Sequence, residues 1–364
     1  MPTNTAAWLD AKGATLAVKP APYTHPREDE IVVKNHAMAI NLIDWFIQVT
    51  GNTLFRWIKF PFVLGSDVAG EVVEVGTAVT RFTVGDRVLG HAVGMDKDRN
   101  TSAEGAFQEY TVVLARMAAP IPGTMPYENA AVLPLALSTA ACGLFQQDQL
   151  ALQYPSAAAT PTGQTLLVWG GSTSVGSNAI QLAVAAGYAV VTTASPRNFD
   201  YVKQLGASQV FDYRSTTVVH DIIAAFRGKT IAGALAIGTG STEPCLDIVQ
   251  ACNGNKFVSM ASTSVSFANG MTPQVLRKLV SSNVSLQVKS RARHIRTKSI
   301  FGSTLKGNEV STVIYEDFLP RALAEGRYVA APEPYVVGRG LASVQAGFDM
   351  QRQGVSAKKV VVSL

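Results

Sequence analysis

The chain of 364 residues is 47% hydrophobic and 16% charged, enough apolar side chain for two ordinary cores and too ordered a composition for an unfolded polymer. Its formal net charge of +5 is spread without a run of five or six cations, which argues against a nucleic-acid partner and favours anionic ligands such as phosphates. Three cysteines, Cys142, Cys245 and Cys252, show no paired spacing, so a disulfide scaffold is excluded and a reducing compartment is expected.

Residues 1–19 lack a charged start followed by an apolar run, and no apolar stretch of about 18–20 residues is read, so a cytoplasmic protein without a membrane partner is expected. Residues 6–40 read as short antiparallel strands, clearest over 31–40, with Pro20, Pro22 and Pro26 punctuating the approach. A second strand fits 68–76, and 85–90 reads as a turn entering another. Closely spaced strands with Gly-rich turns predict a β-rich barrel in the first 120 or so residues. After Pro134 the Ala-rich stretch 135–144 reads as a helix, and 153–163 as a spacer.

From Gln164 onward strands and helices alternate. Strands are predicted at 165–169, 188–193, 210–212, 233–237 and 256–260, with helices at 174–186 and 200–205. That rhythm predicts an α/β fold with a doubly wound parallel sheet of Rossmann type, covered on both faces by helices. Strand patterns return at 335–337 and 359–364 and are taken to rejoin the first domain. The expected division is therefore 1–134 with 310–364 for one domain, and 135–309 for a nucleotide-binding domain inserted in it.

The most informative segment is Leu166-Leu-Val-Trp-Gly-Gly-Ser-Thr-Ser-Val-Gly176, an apolar strand running into a glycine-rich turn and then a helix. Such a turn lets backbone approach a pyrophosphate, and the N–H groups at the helix start point at its charge. The expected contacts are Gly170, Gly171, Ser172, Thr173, Ser174, Val175 and Gly176, although Ser174 breaks the strict G-x-G-x-x-G spacing. A purely structural strand–helix turn is the alternative.

The end of the second strand separates the two nicotinamide dinucleotides. An NAD site would place Asp or Glu near position 195 for the ribose hydroxyls. Here Ser195 stands there, and Arg197 supplies a fork able to grip a 2′-phosphate, which points to NADPH. Asn198, Lys203 and Tyr213, with Arg214, complete the expected pocket, while Asp200 is assigned to the helix start. The alternative is that Arg197 and Lys203 are ordinary solvated charges.

Taken together, these residues resemble the medium-chain dehydrogenase/reductase superfamily over nearly the whole chain. The resemblance rests on Pro61-Phe-Val-Leu-Gly-Ser-Asp-Val-Ala-Gly-Glu-Val73, Phe82-Thr-Val-Gly-Asp-Arg-Val88, Gly105-Ala-Phe-Gln-Glu-Tyr110 and the run 133–144. Within it, the chain is most similar to the zinc-free quinone-oxidoreductase and enoyl-reductase branch. Ser195 to Lys203 with Val210 to Arg214 resembles fungal trans-acting enoyl reductases and fungal oxidoreductases described as zinc-binding. The resemblance implies a GroES-like catalytic domain beside the Rossmann domain.

Zinc-dependent members carry a Cys near position 41 and a His in Gly-His-Glu; this chain has Asn41 and Ser66. Three protein ligands of N, S or O type are needed for a catalytic zinc, and four clustered cysteines for a structural one. His36, His91 and His220 are scattered, so no metal is expected.

A reductase without a Lewis acid is suited to conjugate reduction, in which hydride reaches the β-carbon of an enone, enoyl thioester or quinone and charge gathers on oxygen. The family's positions imply Asn41, Asp44 and Thr139, with Ser138, at the catalytic cleft. They also imply Ile237, Gly238, Phe301 and Gly302 beside the nicotinamide. Loop bracing by side chain-to-backbone hydrogen bonds is the alternative for Asn41 and Asp44. Phe46 stands where related reductases carry a proton donor, so none is identified. Trp45, Phe55 and Trp57 are either pocket or core. The pocket-lining segments are expected in unpatterned loops, 45–60 and 262–300.

A redox sensor or scaffold that binds NADPH without turnover is the second function class. A reductase working on an acyl chain delivered by a carrier protein or megasynthase is a third. Both monomers and homodimers occur among relatives. The loose basic cluster Lys289, Arg291, Arg293, Arg296 and Lys298 is either a solvated face or a site for an acidic carrier.

Overall fold

The computed structural model describes residues 2–262 and 271–364. Part of the segment expected to line the pocket, residues 263–270, lies outside the described residues. The chain divides into two compact units.

The first unit opens with β1 (Asn4–Leu9), β2 (Ala17–Ala21) and β3 (Glu30–Ala39), followed by helix α1 (Leu42–Thr50). Strands β4 (Phe62–Val63), β5 (Asp67–Val75), β6 (Arg87–His91), β7 (Tyr110–Leu114) and β8 (Ala118–Pro120) follow, then helix α2 (Tyr127–Ala131). β1 pairs antiparallel with β2 and β4 in a small sheet, and β3, β5, β6 and β8 form most of a larger one. β3 is buried along almost its whole length, because it pairs with β5 on one side and with β7 over its first half. Asn35 of β3 is held inside by donating to Gln108 O at 2.7 Å and Thr111 Oγ1 at 2.8 Å.

Helix α3 (Pro134–Phe145) leads into the second unit, where β9 (Gln164–Trp169), α4 (Ser174–Ala185), β10 (Ala189–Ala194), α5 (Phe199–Gln204) and β11 (Gln209–Asp212) alternate. They continue through α6 (Val218–Ala225), β12 (Thr230–Ala236), α7 (Thr242–Ala251), β13 (Phe257–Met260), α8 (Pro273–Ala292) and β14 (Arg296–Ser299). The sheet order is β11-β10-β9-β12-β13-β14, and every pairing is parallel. The apolar run Leu166–Val168 of central β9 is fully buried, which is what helices on both faces require. One core joins Leu167, Val191 and Val258 of the sheet with Ile222, Phe226, Leu246 and Val249 of α6, its C-terminal turn and α7.

The chain then returns to the first unit through α9 (Glu309–Ser311), α10 (Leu319–Ala324), β15 (Glu333–Arg339), α11 (Val344–Gln353) and β16 (Lys358–Ser363). β16 inserts between β15 and β3, parallel to the former and antiparallel to the latter. The described parts of the units are 2–135, Met271 and 305–364 for one, and 136–262 and 272–304 for the other. These boundaries differ from the expected 134/135 and 309/310. The second crossing falls within the 3-10 turn Gly302–Gly307: Thr304 is held by Gln146 Nε2 at 2.9 Å, and Lys306 by Asp98 at 3.1 Å.

Three sequence expectations are corrected here. Residues 45–50 of the expected loop 45–60 belong to helix α1; their nearly unbroken apolar run hid the period because most of α1 is buried. Within 262–300 lie the 20-residue helix α8 and strand β14. The stretch Tyr127–Phe145 is long and apolar enough to cross a membrane, but it is mostly buried and divided at Pro134 into α2 and α3.

Candidate functional site

Parallel pairing throughout the second unit brings the loops after β9, β10, β11, β12 and β14 to one edge of its sheet. The strand order reverses on either side of β9, so the crevice at that edge is the position where such sheets hold ligands. β9 ends at Trp169, and Gly170 turns the chain with φ +93°, a conformation that strains any residue with a Cβ. Gly170 N–H donates to Thr193 Oγ1 at 3.0 Å and Gly171 N–H to Thr193 O at 2.9 Å, tying the turn to β10. Thr173 caps α4: its Oγ1 accepts from Gly176 N–H at 3.0 Å and donates to Gly170 O at 2.8 Å.

A Cβ on Gly176 would lie 2.2 Å from Gly170 O, so glycine is required for the helix to start this close to the turn. The glycine amides are thus engaged within the scaffold. The N–H groups of Ser174 and Val175 occupy the first two helical positions, where no intrahelical acceptor exists, beside the half-buried Ser172. That pair of donors at the positive end of α4 suits a phosphate.

At the end of β10, Ser195 begins a single 3-10 turn, Pro196–Asn198, closed by Asn198 N–H on Ser195 O at 2.8 Å. Arg197 in that turn and Lys203 in α5 are exposed, and neither forms a salt bridge among the described residues. Asn198 is buried. Arg214 differs: Asp212 holds it at 3.2 Å, with its guanidinium 5.7 Å from the Tyr213 ring, so that corner is already engaged with itself. Beyond β12, Ile237 N–H donates to Trp169 O at 3.1 Å, and Gly238, with φ +97°, donates to Ser262 Oγ at 2.8 Å.

The same unit brings Thr139 and Gly302 together. A Cβ on Gly302 would stand 2.7 Å from Thr139 Oγ1, while neighbouring Phe301 is 64% exposed. Below them the Cys142 thiol, pushed up by burial, lies 3.5 Å from Thr304 Oγ1. The expected nucleotide residues therefore share one sheet edge, with Thr139 arriving on α3.

Asn41 and Asp44 belong to the first unit and stand at the start of α1, where side chain-to-backbone bracing of the kind expected is present. Asp44 Oδ2 accepts from Asn41 N–H at 2.7 Å, one half of a capping box. The Asn41 side chain turns inward: its Nδ2 donates to Asp67 Oδ2 at 2.8 Å, and its Oδ1 accepts from Lys359 Nζ. Lys359 Nζ also lies 3.0 Å from Asp67 Oδ2, and Asp67 Oδ1 accepts from Leu135 N–H at 2.6 Å. The ion pair is almost fully buried, 4% and 0% exposed, and is tolerable only because Asn41 and Leu135 satisfy its remaining positions.

Burial pushes the Asp44 carboxyl up to about 8; the Asn41 amide opposes the shift and the Asp67 charge adds to it. The balance favours the protonated Asp44 carboxyl near neutral pH, against the backbone hydrogen bonds from Asn41 and Gly65. Burial pushes His91, opposite Asp67 in the β5–β6 ladder, down to about 4, so its ring is neutral.

Two family profiles match the chain: the alcohol dehydrogenase GroES-like domain over residues 27–123 and the zinc-binding dehydrogenase over 174–314. Dehydrogenase pigH of Monascus ruber is 56% identical, covering 100% of both chains. Trans-enoyl reductase himH of Aspergillus japonicus is 39% identical, covering 99% of this chain and 97% of its own. The chain belongs to the medium-chain dehydrogenase/reductase superfamily.

The fold agrees: a mycobacterial structure complexed with NADPH superposes with a TM-score of 0.69 at 21% identity, covering 100% of this chain and 99% of that one. This superfamily member is an oxidoreductase by its family profiles and relatives. Among the described residues no three His, Cys, Asp or Glu side chains gather as a metal-ligand set. His36 stacks on Tyr127 with centroids 4.6 Å apart, and His220 is exposed.

The expected basic cluster is largely paired: Lys289 with Glu243 at 2.8 Å, Arg293 with Asp247 at 2.6 Å, and Lys298 with Asp148. Of the three aromatics left open, Trp45 is buried, while Phe55 and Trp57 are half-buried and in ring contact, their centroids 5.5 Å apart. Sequence reasoning missed Thr193, Asp67 and Lys359. None of the three carries a local signal: Lys359 is the second of two lysines that start β16, and its partners lie far away in the chain.

Proposed function

We propose that this oxidoreductase uses NADPH, needs no zinc, and transfers hydride to an activated carbon–carbon double bond of an enone, enoyl thioester or quinone. The observation that carries the coenzyme choice is Ser195 followed by exposed Arg197, without a salt bridge among the described residues, where β10 ends, with Lys203 on the next helix. A carboxylate there would bind ribose hydroxyls and repel a 2′-phosphate; a serine and a guanidinium do the reverse. The cradle fits the pyrophosphate of such a coenzyme, because Ser174 and Val175 N–H groups are unclaimed by the helix and Gly176 admits the turn. When bound, the coenzyme supplies the hydride.

The protein's own residues bind and orient. Thr139, held against Gly302, presents a hydroxyl at the sheet edge where the nicotinamide end would lie. Asn41 is a positioning residue: both ends of its amide engage the Asp67–Lys359 pair, so it fixes the start of α1 instead of donating to substrate. With Asp44 enclosed, the proton completing the reduction comes from solvent. Zinc independence rests on Asn41 and Ser66 at the positions of the metal ligands, and a cytoplasmic location on the unpaired cysteines. The trans-enoyl reductase relative supports an alkene substrate, with a carrier-bound acyl thioester as the pathway form.

Fluorescence titration with NADPH and NADH tests the reading. NADPH should bind at least about tenfold tighter, a difference of about 1.4 kcal/mol, and Arg197→Ser should erase that margin. Equal or tighter binding of NADH by the natural protein would overturn it. Oxidation of NADPH with simple enones should persist after exhaustive chelation; loss of turnover that zinc restores would refute the metal-free assignment.

A further inference from the structure

Fourteen large hydrophobic side chains are exposed among the described residues, and four of them lie on one helix. Leu276, Val280, Val284 and Val288 of α8 are 49%, 56%, 59% and 62% exposed. Their spacing is four residues throughout, so at about 100° per residue they form one oblique ridge. The helix is already anchored by another face, where Ser290 is buried and Leu286 packs on the core of the second unit. Among the described residues the ridge is therefore a second apolar face, apart from the one that anchors the helix.

The charges on α8 say what kind of surface would cover it. Its twenty residues include Arg277, Lys278, Lys289 and Arg291 and no acid. On the same helical projection Arg277 and Arg291 fall among the ridge residues, one at each end, and both are exposed. Lys289 lies off the ridge and is paired with Glu243. A second copy of α8 would bring cations against cations. The ridge itself matches the i±4 packing by which helices cross at about 50°. Three of its four members are valines, whose restricted χ1 lowers the entropy lost when a fixed partner covers them.

We propose that the exposed face of α8 docks an acidic amphipathic helix of a partner protein, whose aliphatic side chains cover 276–288 and whose carboxylates meet Arg277 and Arg291. None of the four ridge residues, nor Arg277 or Arg291, is among the residues assigned to the coenzyme cradle.

The probe is a synthetic helical peptide carrying Leu at four-residue spacing flanked by Glu, titrated against the full-length protein, with a Lys-flanked peptide as its counterpart. The acidic peptide should bind saturably and the basic one at least about tenfold more weakly, with affinity falling as salt rises. Val280→Ser with Val284→Ser should weaken binding about tenfold or more, and Arg277→Gln with Arg291→Gln should remove the salt dependence. Both double variants should retain coenzyme binding and turnover of free substrate, which checks that they fold. Absence of saturable binding, equal binding of both peptides, or unchanged binding by the valine variant would overturn the proposal. So would preferential partition onto phosphatidylserine vesicles, or self-association abolished by the valine substitutions, each assigning the ridge a different occupant.

Discussion

Asp44 shows how one enclosed carboxyl sets a pH dependence. Its folded pKa of about 8 lies far above that of an Asp in an unfolded chain, so between those limits the folded state binds the extra proton. Stability therefore falls as pH rises toward 8. His91 acts in the opposite sense: it is held neutral down to about 4, so its contribution is lost as pH drops below the ordinary histidine range. Between about pH 4 and 6.5 the two oppose each other, and from 6.5 to 8 the Asp44 loss acts alone, at up to about 1.4 kcal/mol per pH unit. Asp44→Asn should flatten that upper limb and, with the opposing slope gone, steepen the rise in stability that His91 sets between about pH 4 and 6.5. Urea unfolding midpoints at a series of pH values check it, and an unchanged decline above neutrality would show that Asp44 is already ionised in the fold.

At the scale of an element, the start of α4 rests on Thr173, which joins the Gly176 amide to the Gly170 carbonyl. Thr173→Ala should cost about 1 kcal/mol of stability and loosen the amides that face the phosphate, whereas Thr173→Ser keeps the oxygen and should restore both. Thermal midpoints and coenzyme titration of the two variants separate a lost cap from a general packing defect. This helix was legible because strand, glycine turn and helix follow one another within a dozen residues and their contacts are local. Helices α1 and α8 were not. In α1 the run Leu-Ile-Asp-Trp-Phe-Ile is apolar on nearly every side, and in α8 two apolar faces blur into one another among serines and valines. The same ambiguity that concealed α8 is the source of its exposed ridge.

For the whole molecule, the inserted nucleotide unit separates the two halves of the other unit by about half the chain, and β16 reunites them. Lys359 reaches from that strand to Asp67 on β5 and Asn41 before α1, a link between residues 292 positions apart that no local pattern discloses. The strand itself was readable from Val-Val-Val; its ionic tie to the interior was not, because partners so distant are indistinguishable from surface charges in a sequence. Lys359→Met should leave the Asp67 carboxylate buried and unpaired, at a cost of about 3–5 kcal/mol. Adding Asp67→Asn should recover part of that loss, since the remaining amide carries no charge and still accepts from Leu135 N–H. Denaturant unfolding of the single and double variants checks the coupling. If Lys359→Met unfolds with an unchanged midpoint, the C-terminal strand is held by its ladder alone and the buried ion pair contributes nothing to closing the fold.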